Sequence, residues 1–282
     1  MAINMRLAAY LNRIGYRGPV RPDFECLRQV HLGQVLSIPY ENIDIQLGHP
    51  VDQDIERIFH KIVAKERGGW CFELNGILGW ALGEIGFDVQ RVSAGIRRDE
   101  RGDAAFGNHL ILLVRLDRSY LADHGMGDGL RQPIPVELGE HTQGNLKFYL
   151  EKTGDNYWRF RNHALAYPPN FDFKETAADE TLIAAKSASL QVVPESVFVQ
   201  NLICQIMDHE TVTCLTGRVL RHNSSAGIKK TLLHSSAELE QTLSKIFGIK
   251  HVDVSRLWSK ALERHNELFG ARTIEEIDVK GM

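Results

Sequence analysis

The sequence predicts an α+β fold in which helices come first, short strands follow, and the last third is mixed. Apolar residues recur at helical spacing over the first 85 or so positions, and from about 87 to 200 they form short runs between turn residues. The remainder combines both patterns. With 282 residues, 43% of them hydrophobic, the chain can bury a sizeable core. We therefore expect three segments, 1–86, 87–200 and 201–282.

The first segment is expected to hold four amphipathic helices. The second ends at Pro39, Asp52 caps the third, and the fourth begins just after RGGWC (67–71). Gly86 is a plausible stop for the fourth helix, because glycine adopts the left-handed conformation that ends many helices.

The middle segment reads as a small antiparallel sheet or barrel. Its strand candidates are VQRVSAGI (89–96), HLILLVRL (109–116), SYLAD (119–123), LKFYL (146–150) and YWRF (157–160). HLILLVRL is nearly continuous in apolar residues, which is typical of a strand buried on both faces. In the last segment, VTCLTGRVLR (212–221) and IKKTLL (228–233) predict strands, and two closing helices follow.

Composition excludes several classes of function. The formal net charge is −3 and no basic block occurs, so nucleic acid is not an expected partner. No apolar run approaches the ~20 residues that span a bilayer, and the N-terminus lacks the apolar core of a signal peptide. The four cysteines form no CxxC pair, so free thiols, no structural zinc and a cytoplasmic location are expected.

Cys71 is the most informative residue. It follows Gly68 and Gly69 and stands at the first turn of the fourth helix, where unpaired N–H groups and the helix dipole favour a thiolate. Such settings lower a cysteine pKa from ~8.5 to between ~3.5 and ~7.5. The glycines permit a backbone turn closed to other residues, and the loop N–H groups can stabilise an oxyanion. The alternative, a buried apolar cysteine, is the interpretation given to the other three.

A thiolate nucleophile needs a base, and the base needs an orienting group. His109 opens the buried strand, and the hairpin formed with 119–123 brings it near Asp123. Asp123 can then fix the imidazole tautomer. His124 points to the opposite face from Asp123. The alternative for His109 is a core histidine bonded to the backbone. The pattern predicts Cys71 as nucleophile, His109 as base and Asp123 as orienting carboxylate.

These segments resemble the arylamine N-acetyltransferase family. The resemblance rests on IPYENID (38–44), RGGWCFELNG (67–76), GNHLILLV (107–114), YLADHGMGD (120–128) and, less distinctly, LTGRVL (215–220). It implies a helical bundle, a β-barrel and an α/β lid around a triad core like that of the cysteine proteases. It also implies the same catalytic triad of Cys71, His109 and Asp123.

The resemblance further implies ping-pong transfer of an acetyl group from acetyl-CoA to an arylamine or arylhydrazine, as in xenobiotic metabolism. Acetyl-CoA is then a co-substrate, with no tightly bound cofactor or metal, and the protein is a monomer or a homodimer. The implied contacts with the acyl acceptor are Tyr40, Phe72, Gly107, Met126 and Gly127, and those with CoA are Gly125, Thr216 and Arg218.

Some of these positions depart from the family pattern or stay open. The family often has phenylalanine at Tyr40 and Met126 and an aliphatic residue at His124, three positions expected to line or adjoin the acceptor pocket. Glu41 and Arg67 are expected to form a buried ion pair beneath the cysteine loop. The basic residues Arg218, Arg221, Lys229 and Lys230 either meet CoA phosphates or form a solvated face.

Three other functions share these residues. A cysteine hydrolase uses the same triad and differs only in the second step, when water takes the acyl group. An amide synthase of the same fold would close an amide on a larger acyl chain. A non-catalytic binding protein is disfavoured, because it gains nothing from a thiol poised to oxidise.

Overall fold

The N-terminal helices pack around one central helix, α5. In the computed structural model, which describes residues 4–270 and 272–278, α5 is buried along most of its length and is the centre of the largest apolar core. The elements of this region are α1 (Met5–Arg13), α2 (Phe24–Ser37), β1 (Tyr40–Glu41), α3 (Ile43–Gln46), α4 (Ile55–Phe59), a π-helical turn (His60–Ala64) and α5 (Cys71–Ile85).

The boundaries of these helices follow the predicted signals with one exception. Gly86 ends α5 with a φ of 105°, as expected. The cap of α4 is Asp54 and not Asp52, because the Asp54 carboxylate accepts the N–H groups of Glu56 and Arg57. Asp52 instead accepts the Asp54 N–H and pairs with the Arg57 side chain, so it stabilises the turn before the helix.

Eight antiparallel strands form the central barrel, in the order β5-β4-β3-β2-β9-β8-β7-β6. They are β2 (Asp88–Ile96), β3 (His109–Arg115), β4 (Ser119–Ala122), β5 (Ile134–Pro135), β6 (Gly139–Gln143), β7 (Leu146–Lys152), β8 (Trp158–Arg161) and β9 (Asn170–Phe173). A short helix, α6 (Arg98–Arg101), and a 3₁₀ turn (Gly102–Ala105) lie between β2 and β3.

The barrel is nearly closed, and one side chain links its two edge strands. Gln143, at the end of β6, accepts the backbone N–H groups of Arg131 and Gln132 and donates to the Gln132 carbonyl, just before β5. β3 is buried on both faces, as predicted. Leu110 and Leu112 face the core around α5, while Ile111 faces the barrel interior. His109 is in phase with Ile111 and therefore projects toward the barrel interior.

The described residues that follow the barrel form a helix-and-sheet lid over the other two parts. Its elements are α7 (Glu180–Leu190), α8 (Val197–Gln200), β10 (Ile203–Met207), β11 (Val212–Thr216), β12 (Val219–Ser224), β13 (Gly227–Leu232), α9 (Ser236–Lys245) and α10 (Val254–Phe269). The segment VTCLTGRVLR is a hairpin, β11 and β12, turning at Gly217 and Arg218. The two closing helices are present, as expected.

The lid sheet is anchored to the cysteine region by β1. Its strand order is β1-β10-β11-β12-β13, so residues 40–41 form one edge of a sheet that is otherwise C-terminal. Asn42 extends this anchor, because its amide donates to the carbonyls of Phe198 and Asn201 and accepts the Ile203 N–H. The fold is thus the predicted α+β arrangement of bundle, barrel and lid, and the boundaries at 86 and 200 stay a prediction.

The helices were also compared with the length of a bilayer. In the described part of the chain, none combines the length and apolar character that a membrane crossing requires.

Candidate active site

Cys71 is the first residue of α5 and is almost fully buried, with 2% of its surface exposed. It lines a cavity of about 100 Å³ between the three parts of the fold. The preceding loop lies against β1. The Glu41 N–H donates to the Gly69 carbonyl at 2.9 Å, and a Cβ added to Gly68 would lie 2.1 Å from the Pro39 carbonyl oxygen.

The double glycine is therefore required for close approach. Neither Gly68 nor Gly69 has a positive φ, so the prediction that they adopt a conformation closed to other residues is wrong. A side chain at Gly68 is excluded by the Pro39 backbone and the Glu41 side chain. One at Gly69 is excluded by the Glu73 side chain, which lies 2.9 Å from the added Cβ.

A buried ion pair lies beneath this loop, as expected. The Arg67 guanidinium donates through Nε and Nη2 to one Glu41 oxygen, at 3.0 and 2.7 Å. The other Glu41 oxygen accepts the Ile43 N–H at 2.7 Å, and the carboxylate is completely buried. Because both carboxylate oxygens and two guanidinium nitrogens are paired, this pair fixes the loop to the start of α3.

A second buried carboxylate, Glu73, holds the first turn of α5. It accepts the Trp70 N–H at 3.2 Å and pairs with Lys61, whose Nζ lies 2.9 Å from Glu73 Oε2. Burial raises the pKa of Glu73 to about 7, with the Lys61 charge opposing that rise. Lys61 stands in the π-helical turn, so this turn is tied directly to the helix that carries Cys71.

His109 and Asp123 form the predicted pair. His109 Nε2 lies 2.9 Å from Asp123 Oδ2, and both residues are buried. An ionised carboxylate only accepts hydrogen bonds, so Nε2 carries the hydrogen and Nδ1 is the basic nitrogen. Nδ1 has no hydrogen-bond partner among the described residues. The His109 imidazole is therefore held in one tautomer, and its accepting nitrogen has no partner among the described residues.

Three groups form hydrogen bonds with Asp123, and sequence reasoning identified none of them as its partner. Its Oδ1 accepts from the Asn75 amide and from the Gly125 N–H, each at 2.7 Å, and its N–H donates to His31 at 3.2 Å. Burial raises the pKa of Asp123, but His109, Asn75 and Gly125 outweigh it and bring the pKa below its usual value. Asn75 stands four residues after Cys71, so helical spacing places both on one face of α5.

Gly125 shows how closely Cys71 and His109 approach one another. A Cβ added there would lie 2.7 Å from His109 Cε1, 2.7 Å from Asn75 Nδ2 and 2.8 Å from Cys71 Cβ. The three side chains thus surround a single point. His109 Nδ1 forms no hydrogen bond with the Cys71 thiol or with any other described group.

The thiol is not activated by its helix alone. Burial raises the pKa of Cys71, and the Asp123 charge raises it further, against the lowering effect of the Phe72 and Cys71 N–H groups. The N–H groups at the start of α5 thus favour the thiolate, as predicted, but burial and the Asp123 charge outweigh them. A thiolate requires a compensating charge in the same cavity, and proton transfer to His109 would supply one without changing the net charge.

Four of the predicted contact residues line the cavity together with Cys71. They are Tyr40, Gly125, Met126 and Thr216. Gln205 and Phe198 also line it, although sequence reasoning assigned neither of them to a substrate. So does Arg221, for which the sequence left a CoA contact and a solvated face open. Phe198 is held there by Asn42, a member of the IPYENID segment.

The other predicted contacts lie outside this cavity. Phe72 is completely buried and packs edge-to-face against Trp70, at 4.9 Å between ring centroids. Gly107 lies against Leu182, and Gly127 lies against Gln205. The Arg218 side chain donates a hydrogen bond to the Leu233 carbonyl and stacks on the ring of Trp258. Their assignment to substrate or CoA stays a prediction.

His124 also lies away from the cavity. As expected, its side chain points away from the triad, with Nδ1 3.0 Å from the Gln34 amide. Burial and the neighbouring His31 lower its pKa to about 3, so it is neutral in the folded protein at ordinary pH.

Comparison with known proteins gives one consistent result. A family model described as N-acetyltransferase matches residues 23–255. Arylamine N-acetyltransferase 1 of Oryctolagus cuniculus is 28% identical, covering 94% of this chain and 99% of the relative. The arylamine N-acetyltransferase of Mycolicibacterium smegmatis is 32% identical, covering 89% and 94%.

Solved structures agree with the sequence matches. Arylamine N-acetyltransferase of Mycobacterium marinum superposes with a TM-score of 0.82 at 29% identity, over 90% of this chain and 98% of that one. The same enzyme in complex with CoA gives a TM-score of 0.82 at 28% identity.

Proposed function

Since this chain belongs to the arylamine N-acetyltransferase family, we propose that it transfers an acetyl group from acetyl-CoA to the nitrogen of an arylamine or arylhydrazine through an acetyl-cysteine at Cys71. The observation that carries the proposal is the His109–Asp123 pair, which lies close to Cys71 and leaves Nδ1 of His109 without a partner among the described residues. A complex of a relative with CoA supports acetyl-CoA as the donor.

In the first half-reaction, His109 Nδ1 takes the thiol proton and Cys71 Sγ attacks the thioester carbonyl carbon. Asp123 stabilises the imidazolium that forms. Backbone N–H groups at the first turn of α5 are the candidate donors to the oxyanion. The tetrahedral intermediate then expels CoA, which leaves with the proton from His109, and the acetyl group remains on Sγ.

In the second half-reaction, the amine nitrogen attacks the acetyl carbon of the thioester at Cys71. His109 removes the proton from nitrogen, and the thiolate of Cys71 is the leaving group. The amide product departs and the imidazolium returns its proton to the thiolate. Each proton taken up by His109 is thus released within the same half-reaction.

Burial of the thiol supports transfer to an amine over transfer to water. Only 2% of the Cys71 surface is exposed, and the cavity holds about 100 Å³. An acceptor that fills this space displaces water from the acyl-enzyme, which protects it from hydrolysis.

Two-substrate kinetics test the proposal. Initial rates measured against acetyl-CoA and an arylhydrazine should give parallel double-reciprocal lines, and Cys71→Ala should abolish turnover. Cys26→Ala is the matched control, because Cys26 is an equally buried free thiol outside the cavity. Substantial turnover by Cys71→Ala, or intersecting lines, would contradict the covalent route.

A further inference from the structure

A buried arginine lines the active-site cavity without a partner among the described residues. Arg221 stands on β12, only 8% of its surface is exposed, and it lines the cavity that contains Cys71. Its Nε is buried without an acceptor, and no residue within 4–270 or 272–278 forms a hydrogen bond or an ion pair with its guanidinium. Buried charges in proteins are normally paired. This arginine is an exception that a ligand would explain.

Strand register shows where Arg221 lies relative to the nucleophile. Tyr40, Gln205, Cys214 and Arg221 are directly opposite one another across β1, β10, β11 and β12. Residues paired in this way project from the same face of a sheet. Three strand spacings of ~4.8 Å put the Tyr40 and Arg221 Cα atoms about 14 Å apart.

Tyr40 marks the end of this row beside the nucleophile. It is bridged to Gly69 in the cysteine loop, and it lines the cavity together with Cys71. The long Arg221 side chain reaches into the cavity from the other end of the row. A small substrate held by the guanidinium can therefore present its far end to Cys71.

Asp128 lies near the same lid strand as Arg221 but does not pair with it. Asp128, like Arg221, acts electrostatically on the Cys214 thiol. Its Oδ1 is bonded to Arg131 at 3.0 Å and to His163 at 2.9 Å, and its Oδ2 is buried without a hydrogen-bond partner among the described residues. Neither oxygen is in a hydrogen bond or an ion pair with Arg221. The positive charge of Arg221 is thus left for a ligand.

The cavity itself limits the kind of anion. A volume of about 100 Å³ is of the order that holds one aromatic ring, and it is too small for a nucleotide. A guanidinium presents two parallel N–H groups that match the two oxygens of a carboxylate.

We propose that Arg221 binds a carboxylate of the substrate inside the cavity, so that the enzyme favours a carboxylated reactant over its neutral analogue. This inference rests on the proposed function and deepens it. The carboxylate belongs either to the acceptor, as in an aminobenzoate, or to the acyl group, as in a dicarboxylic half-thioester. Both present the same group to the guanidinium.

Equilibrium binding tests the assignment without requiring turnover. Benzoate and the neutral benzamide are titrated calorimetrically into the wild type, Arg221→Met and Arg115→Met. Arg115 is an exposed arginine at the end of β3, and its replacement controls for the loss of one positive charge. We expect Arg221→Met to weaken benzoate binding by at least about tenfold, with benzamide unchanged and Arg115→Met without effect. Absence of benzoate binding by the wild type, or equal loss of both ligands, would overturn the proposal.

Steady-state kinetics with charged and neutral reactants identify which reactant carries the carboxylate. A loss of kcat/KM in Arg221→Met for 4-aminobenzoate, but not for 4-aminobenzamide, would place the carboxylate on the acceptor. A loss for malonyl-CoA, but not for acetyl-CoA, would place it on the acyl group. A raised KM for acetyl-CoA with no selectivity between charged and neutral reactants would assign Arg221 to CoA phosphates and overturn the proposal. If the protein binds benzoate selectively but acetylates no amine, the proposed function is contradicted and the assignment of Arg221 to a carboxylate stands.

Thermal unfolding separates binding from a structural role. Removal of an unpaired buried charge does not destabilise a fold, so Arg221→Met should melt at the wild-type temperature or above it. A variant that fails to fold would show that the guanidinium is needed for structure, against the proposal.

Discussion

Replacement of Gly125 by alanine tests the geometry of the triad with a single methyl group. The added Cβ would lie 2.7–2.8 Å from atoms of His109, Asn75 and Cys71, whereas carbon atoms in contact are normally ~3.5–4.0 Å apart. The three side chains and the residue 125 backbone must therefore separate by about 1 Å. Displacement of this size costs about 10²-fold in rate, equivalent to ~2.7 kcal/mol in the activation barrier. Overpacking should also lower the free energy of unfolding by about 1–3 kcal/mol.

The assay is the release of CoA thiol at saturating acetyl-CoA and hydrazine, with denaturant unfolding measured on the same samples. Gly83→Ala is the matched control, because Gly83 lies on the same helix as Cys71 and a Cβ added there meets nothing within 4 Å. That change should stabilise the protein by about 0.5–1 kcal/mol and leave the rate unchanged. A Gly125→Ala enzyme with wild-type rate and stability would refute the placement of the three side chains.

Three further predictions concern the buried carboxylates. Because burial raises the pKa of Glu73 to about 7, the folded state keeps a proton that the unfolded state has lost above pH ~4.5, and stability falls as pH rises across that window. The unfolding free energy of Glu73→Gln relative to wild type should therefore increase from pH 5 to pH 8 in urea titrations, and a flat or opposite trend would contradict this. Glu41→Gln removes the completely buried partner of Arg67 and leaves only Asp44, 3.4 Å away, as its counter-charge. It should cost about 3 kcal/mol in the same assay, and a loss under ~1 kcal/mol would be inconsistent with the buried pair. Asp123→Asn should lower kcat by on the order of 10³–10⁴-fold with unchanged far-ultraviolet circular dichroism, whereas a drop of less than about tenfold would remove Asp123 from the triad.

The sequence predicted those parts of the fold that periodicity and turn residues determine. The amphipathic helices, the doubly buried strand at His109 and the hairpin that brings it to Asp123 were all accessible to such reasoning. Strands without apolar alternation were missed. β6 is mostly exposed and polar, and its place in the barrel depends on pairing with β7. β9 does alternate, with Phe171 and Phe173 between polar residues, but it is only four residues long and is identified by its partners β2 and β8.

The site shows the same division between local and long-range information. Local signals located Cys71 and the buried pair of Glu41 and Arg67, and a resemblance supplied the acetyl transfer. Local sequence showed that the helix start favours a thiolate, but not how deeply Cys71 is buried or that the Asp123 charge raises its pKa. Arg221 was left between CoA contact and solvated face, because only the strand register turns its side chain into the cavity.

Intact-protein mass spectrometry after incubation with acetyl-CoA alone tests the central claim most directly. The account predicts one acetyl group, located at Cys71 by peptide mapping, with one equivalent of CoA released. Addition of an arylamine or hydrazine should then discharge the adduct faster than water does. Absence of both adduct and free CoA, or an acetyl group on a residue other than Cys71, would contradict the account.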